Sequence, residues 1–306
     1  MLRYLGLRLV QSAFILLGVA AITFALLFLV PADPAREIAG RSATHEEVEI
    51  VRHEMGLDRP LVVQFGAYLW RLAHGNLGRS YLQRTDVTTL VLSRLPATLM
   101  LLAGAIVAEL LIGLPAGMIA AARRGRPTDG GVMIFAFLGV SIPQFVLAIV
   151  LLYVFAAQLN WFPIGGYGGL DHLALPALTL GILGAGWYSR MMRSSMVEVL
   201  SQDYIRTARA KGAGRLRIIL VHALRNAILP ILAMIGLDIG TFMAGAVVVE
   251  SVYGWPGIGQ LTWQAIQQID IPIIMAVTLL AAVGIVLANL LVDLITPFVD
   301  PRIRLR

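Results

Sequence analysis

Few side chains in this chain stand where they could do covalent chemistry, and the absences narrow the field. There is no cysteine, so neither a thiolate nucleophile nor a thiolate metal site can be built. The only lysine, Lys211, lies between Ala210 and Gly212 rather than in G-x-x-x-x-G-K-[ST], so the chain cannot by itself be a P-loop ATPase. None of the five histidines falls in HExxH or another paired ligand spacing. Ser141 sits in Gly139-Val140-Ser141-Ile142-Pro143, which lacks the second glycine of a nucleophile elbow. His172 and His222 fall near opposite ends of apolar runs, which excludes an intramembrane hydrolase. Two features remain: acidic residues embedded in apolar runs, and a basic stretch between two such runs.

The embedded acids are Glu109 and Asp238, each about 10–12 residues inside its run, or roughly 15–18 Å along a helix. An ionised carboxylate at that depth costs about 2.5–3.5 kcal/mol on insertion scales, so both should face protein or water. They could line a pathway and meet an ammonium-bearing solute. Alternatively, they hydrogen-bond across a packed interface to another subunit, or are protonated in place. In an ion-driven carrier they would be proton or cation sites. Asn289 and Asp293 lie nearer the end of the last run, where the headgroup region is within easier reach.

The elements that position these groups are set by composition. The chain of 306 residues is 58% hydrophobic and 14% charged, with a mean hydropathy of +0.81. Soluble domains average near half apolar and about a quarter charged. The sequence therefore predicts an all-α, polytopic membrane protein. Six runs reach the ~20 residues that cross a bilayer: 9–30, 97–121, 132–157, 173–192, 228–249 and 273–296. The first, about 22 residues long, exceeds the roughly 7–15 of a cleavable signal and reads as a signal anchor.

Charge sets the orientation. With the N-terminus cytoplasmic, that side receives Arg3, Arg8, Arg123, Arg124, Arg126, the group from Arg190 to Arg225, and Arg302, Arg304 and Arg306. Loops near 158–172 and 250–272 carry no Arg or Lys, so both termini are expected in the cytoplasm. Topology thus explains the pI near 10.0 without nucleic acid.

The division expected is a first span within 1–30, an outer helical segment at 31–96, a five-span core at 97–296 and a tail at 297–306. In the outer segment Thr44 and Glu47 form a capping box, and Gly56 is placed to end that helix. Pro60 suits the next first turn, Leu61, Phe65, Leu69 and Leu72 share one face, and Gly75 stops the helix. This segment either shields the bundle or serves as a docking platform. Gly104, Gly113, Pro115, Gly181, Gly184 and Gly186 suit close helix approach, or are ordinary membrane-helix residues. Gly165 to Gly169 read as a flexible outer loop, and Trp161 and Trp255 as an aromatic belt at the outer interface.

The basic stretch runs from Asp203 to Pro230 and carries six Arg or Lys. Val197, Leu200, Tyr204 and Ala208 would line one side of a short helix, with Gln202, Arg206 and Arg209 on another. Gly212-Ala213-Gly214 permits a sharp turn into a second helix near Arg215, whose apolar face would be Leu216, Ile219 or Leu220, Ala223 and Ala227. Roughly 35 ordered residues exceed what a simple loop needs. Either a soluble partner grips this hairpin, or it lies on anionic lipid.

Here the residues carry a resemblance. The stretch, 194–227 as a loop, is similar to the EAA loop of ABC importer permeases in the dipeptide, oligopeptide and nickel permease form. Arg206-Thr207-Ala208 stand at the E-A-A positions, Gly212 at the glycine, and His222-Ala223-Leu224-Arg225 in place of I-x-L-P. The ARAKG and HALRN strings resemble the peptide-type subfamily, as do "GLDRPL" (56–61), "GNLGRSY" (75–81, with Asn76 where an Asp is expected), Arg123, Gly125 and Asp129, "SIPQF" (141–145), "LALPALTL" (173–180) and "ESVYGWPGIGQL" (250–261).

The resemblance implies a type I importer permease fold in a bacterial inner membrane, importing small peptides or related solutes such as glutathione or nickel. Tyr204, Arg206, Thr207, Ala208, Arg209, Gly212 and His222 would couple to two cytoplasmic ATP-binding subunits. Those subunits would carry ATP and Mg, this chain binding no cofactor and catalysing nothing. A second related permease and a periplasmic binding protein complete the expected partners. Glu250, Trp255, Pro256 and Gly257 would help gate the outer mouth.

Overall fold

The computed structural model describes residues 2–29, 34–40, 43–54, 56–80, 82–243 and 246–299. Asp33 and the tail from 300 onward, with Arg302, Arg304 and Arg306, lie outside the described residues. Among those described, helix is the only extended regular structure, relieved by a single antiparallel bridge between Arg79 and Asp86. A backbone surrounded by lipid must satisfy its own amides and carbonyls, and helices do so within one segment.

In chain order the helices are α1 (Leu2–Leu29), α2 (Pro34–Ala39), α3 (His45–Glu54), α4 (Leu61–Ala73), α5 (Val87–Ala122), α6 (Pro127–Ser141) and α7 (Gln144–Gln158, closing in a π turn). Then follow α8 (Leu170–Leu200), α9 (Asp203–Ala210), α10 (Arg215–Ala227), α11 (Leu229–Met243), α12 (Val247–Val252), α13 (Ile258–Gln268) and α14 (Ile271–Val299). Among the described residues four helices are long and apolar enough to cross a membrane, and two bent pairs raise the number to as many as six.

The bent pairs fall on the spans expected at 132–157 and 228–249, each broken near a proline. α6 and α7 meet at 100° around Ile142 and Pro143. Proline clashes with an α-helical residue before it, and Ile142 accordingly adopts ψ 126°. α10 and α11 meet at 52° beside Pro230, which tolerates only the first turn of a new helix. Two other helices outrun their expected limits: α5 begins at Val87 rather than 97, and α8 continues past 192 to Leu200.

The centre of the bundle is the α5–α8 pair, with small residues holding the backbones together. A Cβ on Gly113 would meet the Tyr188 Cβ at 2.6 Å, and one on Gly117 the Ser189 carbonyl at 2.5 Å. Without a hydrophobic drive between helices in lipid, this closeness supplies the dispersion contact and fixes the register. α11 packs on α14 in the same way, Gly240 against Ile285. α1 lies peripherally, joined to α14 by the Arg8–Asp293 ion pair at 2.8 Å.

At one end, α4 packs Phe65, Tyr68, Leu69 and Leu72 against α1 and α14. The capping box forms ahead of α3: the Thr44 amide donates to Glu47 at 2.7 Å, and Glu47 returns its amide to the Thr44 hydroxyl. These bonds hold the Glu47 carboxyl below its ordinary range.

Candidate functional site

At the opposite end of the bundle, the basic stretch folds as a hairpin. α8 carries the chain out to Leu200, Gln202 starts α9 in an extended conformation, and the chain reverses at Gly212 with φ +81°. α10 then returns to the bundle. The hairpin is anchored by Ile205, fully buried with Met192, Met196, Ile218, Ala223 and Ala227. Burying a side chain of that size is worth about 1.5–3 kcal/mol, enough to fix an eight-residue helix that would not persist alone.

Polar contacts set its angle. The Arg215 guanidinium donates to the Ala122 carbonyl at 2.5 Å, and the Asn226 amide donates to the Tyr204 hydroxyl at 2.6 Å. Asp129 receives a bidentate Arg193 fork at 2.5 and 2.7 Å and the Gly125 amide at 3.0 Å, tying the α5–α6 turn to α8. Around this frame Tyr204, Arg206, Thr207 and Arg209 remain exposed, while Ala208 and His222 are half-buried.

Two expected faces are corrected. The inward residue of α9 is Ile205, one position after Tyr204, because Tyr204 instead turns outward to Asn226. On α10 Ala223 and Ala227 are buried as expected, with Ile219 packed beside them, but Ile218 joins them while Leu216 and Leu220 are 69% and 46% exposed. The π turn at Ile218–Ala223 rotates the face away from the period of 3.6.

The two embedded acids come together. Glu109 on α5 and Asp238 on α11 lie close enough to interact, and the Tyr188 hydroxyl on α8 donates to Asp238, whereas Glu109 Oε2 finds no hydrogen-bond partner among the described residues. Gly184, one turn before Tyr188, makes room: a Cβ there would overlap the Glu109 carboxyl group. The hydrogen-bond partner of Asp238, Tyr188, is within the same chain. Tyr188 was not singled out by sequence, although it shares the helical face of Gly184 at i, i+4.

The 250–257 turn is a packed knot. Glu250 is fully buried; it accepts the Gln260 amide at 2.8 Å and the Thr98 hydroxyl at 3.2 Å. A Cβ on Gly257 would overlap its carboxylate. Trp255, expected in an interfacial belt, is instead fully buried and donates its indole N–H to the Ala97 carbonyl at 2.8 Å. The Tyr253 hydroxyl bonds Thr179 at 2.9 Å and the Ala148 carbonyl at 3.1 Å, so one turn clamps α5, α7 and α8. Pro256 is half-buried beside it, and Trp161 remains 65% exposed.

The comparisons with known proteins agree with this architecture. The chain superposes on a permease-containing structure of the MetNI methionine ABC transporter in an inward-facing conformation, with a TM-score of 0.60 at 19% identity, covering 69% of this chain and 96% of that one. An amino acid ABC transporter structure gives 0.51 at 18% identity. The fold is therefore that of a type I ABC importer permease.

Models of the binding-protein-dependent transport system inner membrane component match residues 113–305, and its N-terminal part residues 1–102; the chain belongs to that family. It is 42% identical over 305 residues to a protein of Brucella abortus named as a peptide transport system permease, covering 97% of each chain. It is 40% identical over 304 residues to the glutathione transport system permease protein GsiC of Escherichia coli, covering 99% of each. The chain is accordingly a multi-pass inner-membrane permease subunit of an ABC importer.

Proposed function

We propose that this permease forms part of the translocation pathway for small peptides or closely related solutes, and that the α9 hairpin couples it to cytoplasmic ATP-binding subunits. The observation that carries the reading is α9: one buried residue, Ile205, fixes it to the bundle while Tyr204, Arg206, Thr207 and Arg209 face outward. A helix held this way can transmit a push from a soluble partner into α8 and α10, a two-position element biased by nucleotide bound elsewhere. Gly212 sets the angle between the docked helix and α10. Both termini lie in the cytoplasm by the arginine distribution.

Peptide specificity rests on the names of the relatives, with glutathione as the second named solute and nickel as a further small-solute option from the sequence resemblance. A periplasmic binding protein would deliver the solute, a second permease would complete the pathway, and ATP and Mg would reside in the ATP-binding subunits. Glu109 and Asp238 are proposed to border the pathway and Glu250, Trp255, Pro256 and Gly257 to brace its outer mouth.

Reconstitution tests this. Proteoliposomes holding the permease pair, the ATP-binding subunits and the binding protein should take up labelled dipeptide on ATP addition, with uptake unaffected by an ionophore that dissipates ion gradients. Uptake abolished by the ionophore while ATP remains high would make this an ion-driven carrier instead.

A further inference from the structure

A cavity of about 700 Å³ opens between α4, α14 and the 76–86 loop, at the end of the bundle opposite the α9 hairpin. Its apolar wall is formed by Phe24 from α1 and by Met275 and Leu279 from the first turns of α14. Its mouth is cationic: Arg59, Arg71, Arg79 and Arg84 line it against a single carboxylate, Asp86.

The helix that roofs it is apolar on both sides. Tyr68 is buried toward α1, yet Val62 and Trp70 on the other face are 83% and 69% exposed. At 13 residues α4 is too short to span a bilayer. A short helix apolar outward as well as inward lies in the headgroup and upper acyl region. The cavity beneath it therefore presents guanidinium groups at headgroup depth and an apolar wall at acyl depth.

We propose that this cavity is a binding site for a membrane phospholipid, with the phosphodiester held in the arginine mouth and an acyl chain against Phe24, Met275 and Leu279. Guanidinium is the side-chain group best matched to phosphate oxygens, and the excess of cations favours phosphatidylglycerol over zwitterionic lipid. The mouth is built to hold its shape. Ser80 is hydrogen-bonded to Asp270 ahead of α14, and Arg79 spends its guanidinium on the Arg84 carbonyl at 2.8 and 3.0 Å. The guanidinium groups of Arg59, Arg71 and Arg84 are then left to meet the phosphate, Arg59 and Arg71 flanking it from the α4 side. The site depends only on a bilayer at this end of the bundle, not on which solute is transported.

The test uses the complete transporter in detergent, exchanged into dioleoylphosphatidylglycerol and examined by native mass spectrometry. Wild type should retain one lipid through the exchange. Arg59→Gln and Arg71→Gln should each weaken retention about fivefold, and together roughly 25-fold. Arg71→Lys should retain it, and Ala67→Phe should expel it, since Ala67 lines the cavity from an exposed position. Melting temperatures close to wild type for these surface variants would keep the comparison free of misfolding. Equal retention across the series, or displacement by inorganic phosphate alone, would overturn the proposal. So would variants that keep the lipid but lose affinity for the binding protein, which would assign the arginines to an acidic protein surface.

Discussion

The Tyr188 hydroxyl donates a hydrogen bond to the Asp238 carboxylate, joining α8 to α11 beside the Glu109 side chain of α5. Three helices thus meet at one polar knot inside an otherwise apolar bundle. Such a knot is costly when incomplete, because a buried carboxyl group without a partner keeps its desolvation penalty.

Its tightness makes a specific double substitution informative. Gly184→Ala places a methyl group on the Glu109 carboxyl group and should destabilise the purified complex by roughly 1–3 kcal/mol. Glu109→Ala in the same chain vacates that space, so the double variant should melt closer to wild type than the two single losses added together. Simple additivity in thermal melting would mean that the two positions do not touch.

Gly212 gives a different kind of prediction. A Cβ there meets nothing within 4 Å, so any penalty comes from φ +81° rather than from a clash. Gly212→Asn should be tolerated, since Asn visits the left-handed region, whereas Gly212→Leu should cost about 1–2 kcal/mol locally and tilt α9. In proteoliposomes the Leu variant should hydrolyse ATP with reduced peptide uptake, while its melting temperature stays near that of wild type. Normal uptake by Gly212→Leu would remove the hinge from the mechanism.

Trp255 tests whether the 250–257 turn is structural. Trp255→Phe loses the bond to the Ala97 carbonyl and part of a filled core, a loss of roughly 1–2 kcal/mol. The expected readout is a lower melting temperature together with faster proteolysis between 250 and 261. A change in uptake without either would point to gating by the indole itself.

How far the sequence carried these conclusions depended on what each signal encodes. Helical spans were legible from composition because a lipid environment leaves the backbone no other extended choice. The capping box at Thr44 and Glu47 is local and was read correctly. The 100° bend at Ile142–Pro143 was available in the proline but hidden by the continuity of the apolar run. Trp255 was read as an interfacial aromatic from its loop position, and only the tertiary fold shows that Ala97 accepts its N–H.

On α10 periodicity placed Ala223 and Ala227 on the buried face and Ile219 against it, but it put Leu216 inward where it is exposed and missed Ile218, which opens the π turn; a period of 3.6 cannot anticipate an inserted residue. Glu109 and Asp238 were flagged singly by depth. Their meeting was not legible, since nothing local relates positions on α5 and α11. The same limit hid Ile205 as the anchor of α9 and Tyr188 as the partner of Asp238.

Site-directed crosslinking tests the coupling role of α9 most directly, because the chain contains no cysteine and any introduced thiol is its only one. Arg206→Cys and Arg209→Cys, in the complete transporter, should crosslink to an ATP-binding subunit with a yield that changes on ATP addition. Trp161→Cys, on the exposed loop near the far end of α7, should give no such product. Crosslinks from 206 and 209 that reach only lipid, with no ATP-binding subunit and no response to nucleotide, would contradict the coupling role and leave the hairpin as a membrane-surface element.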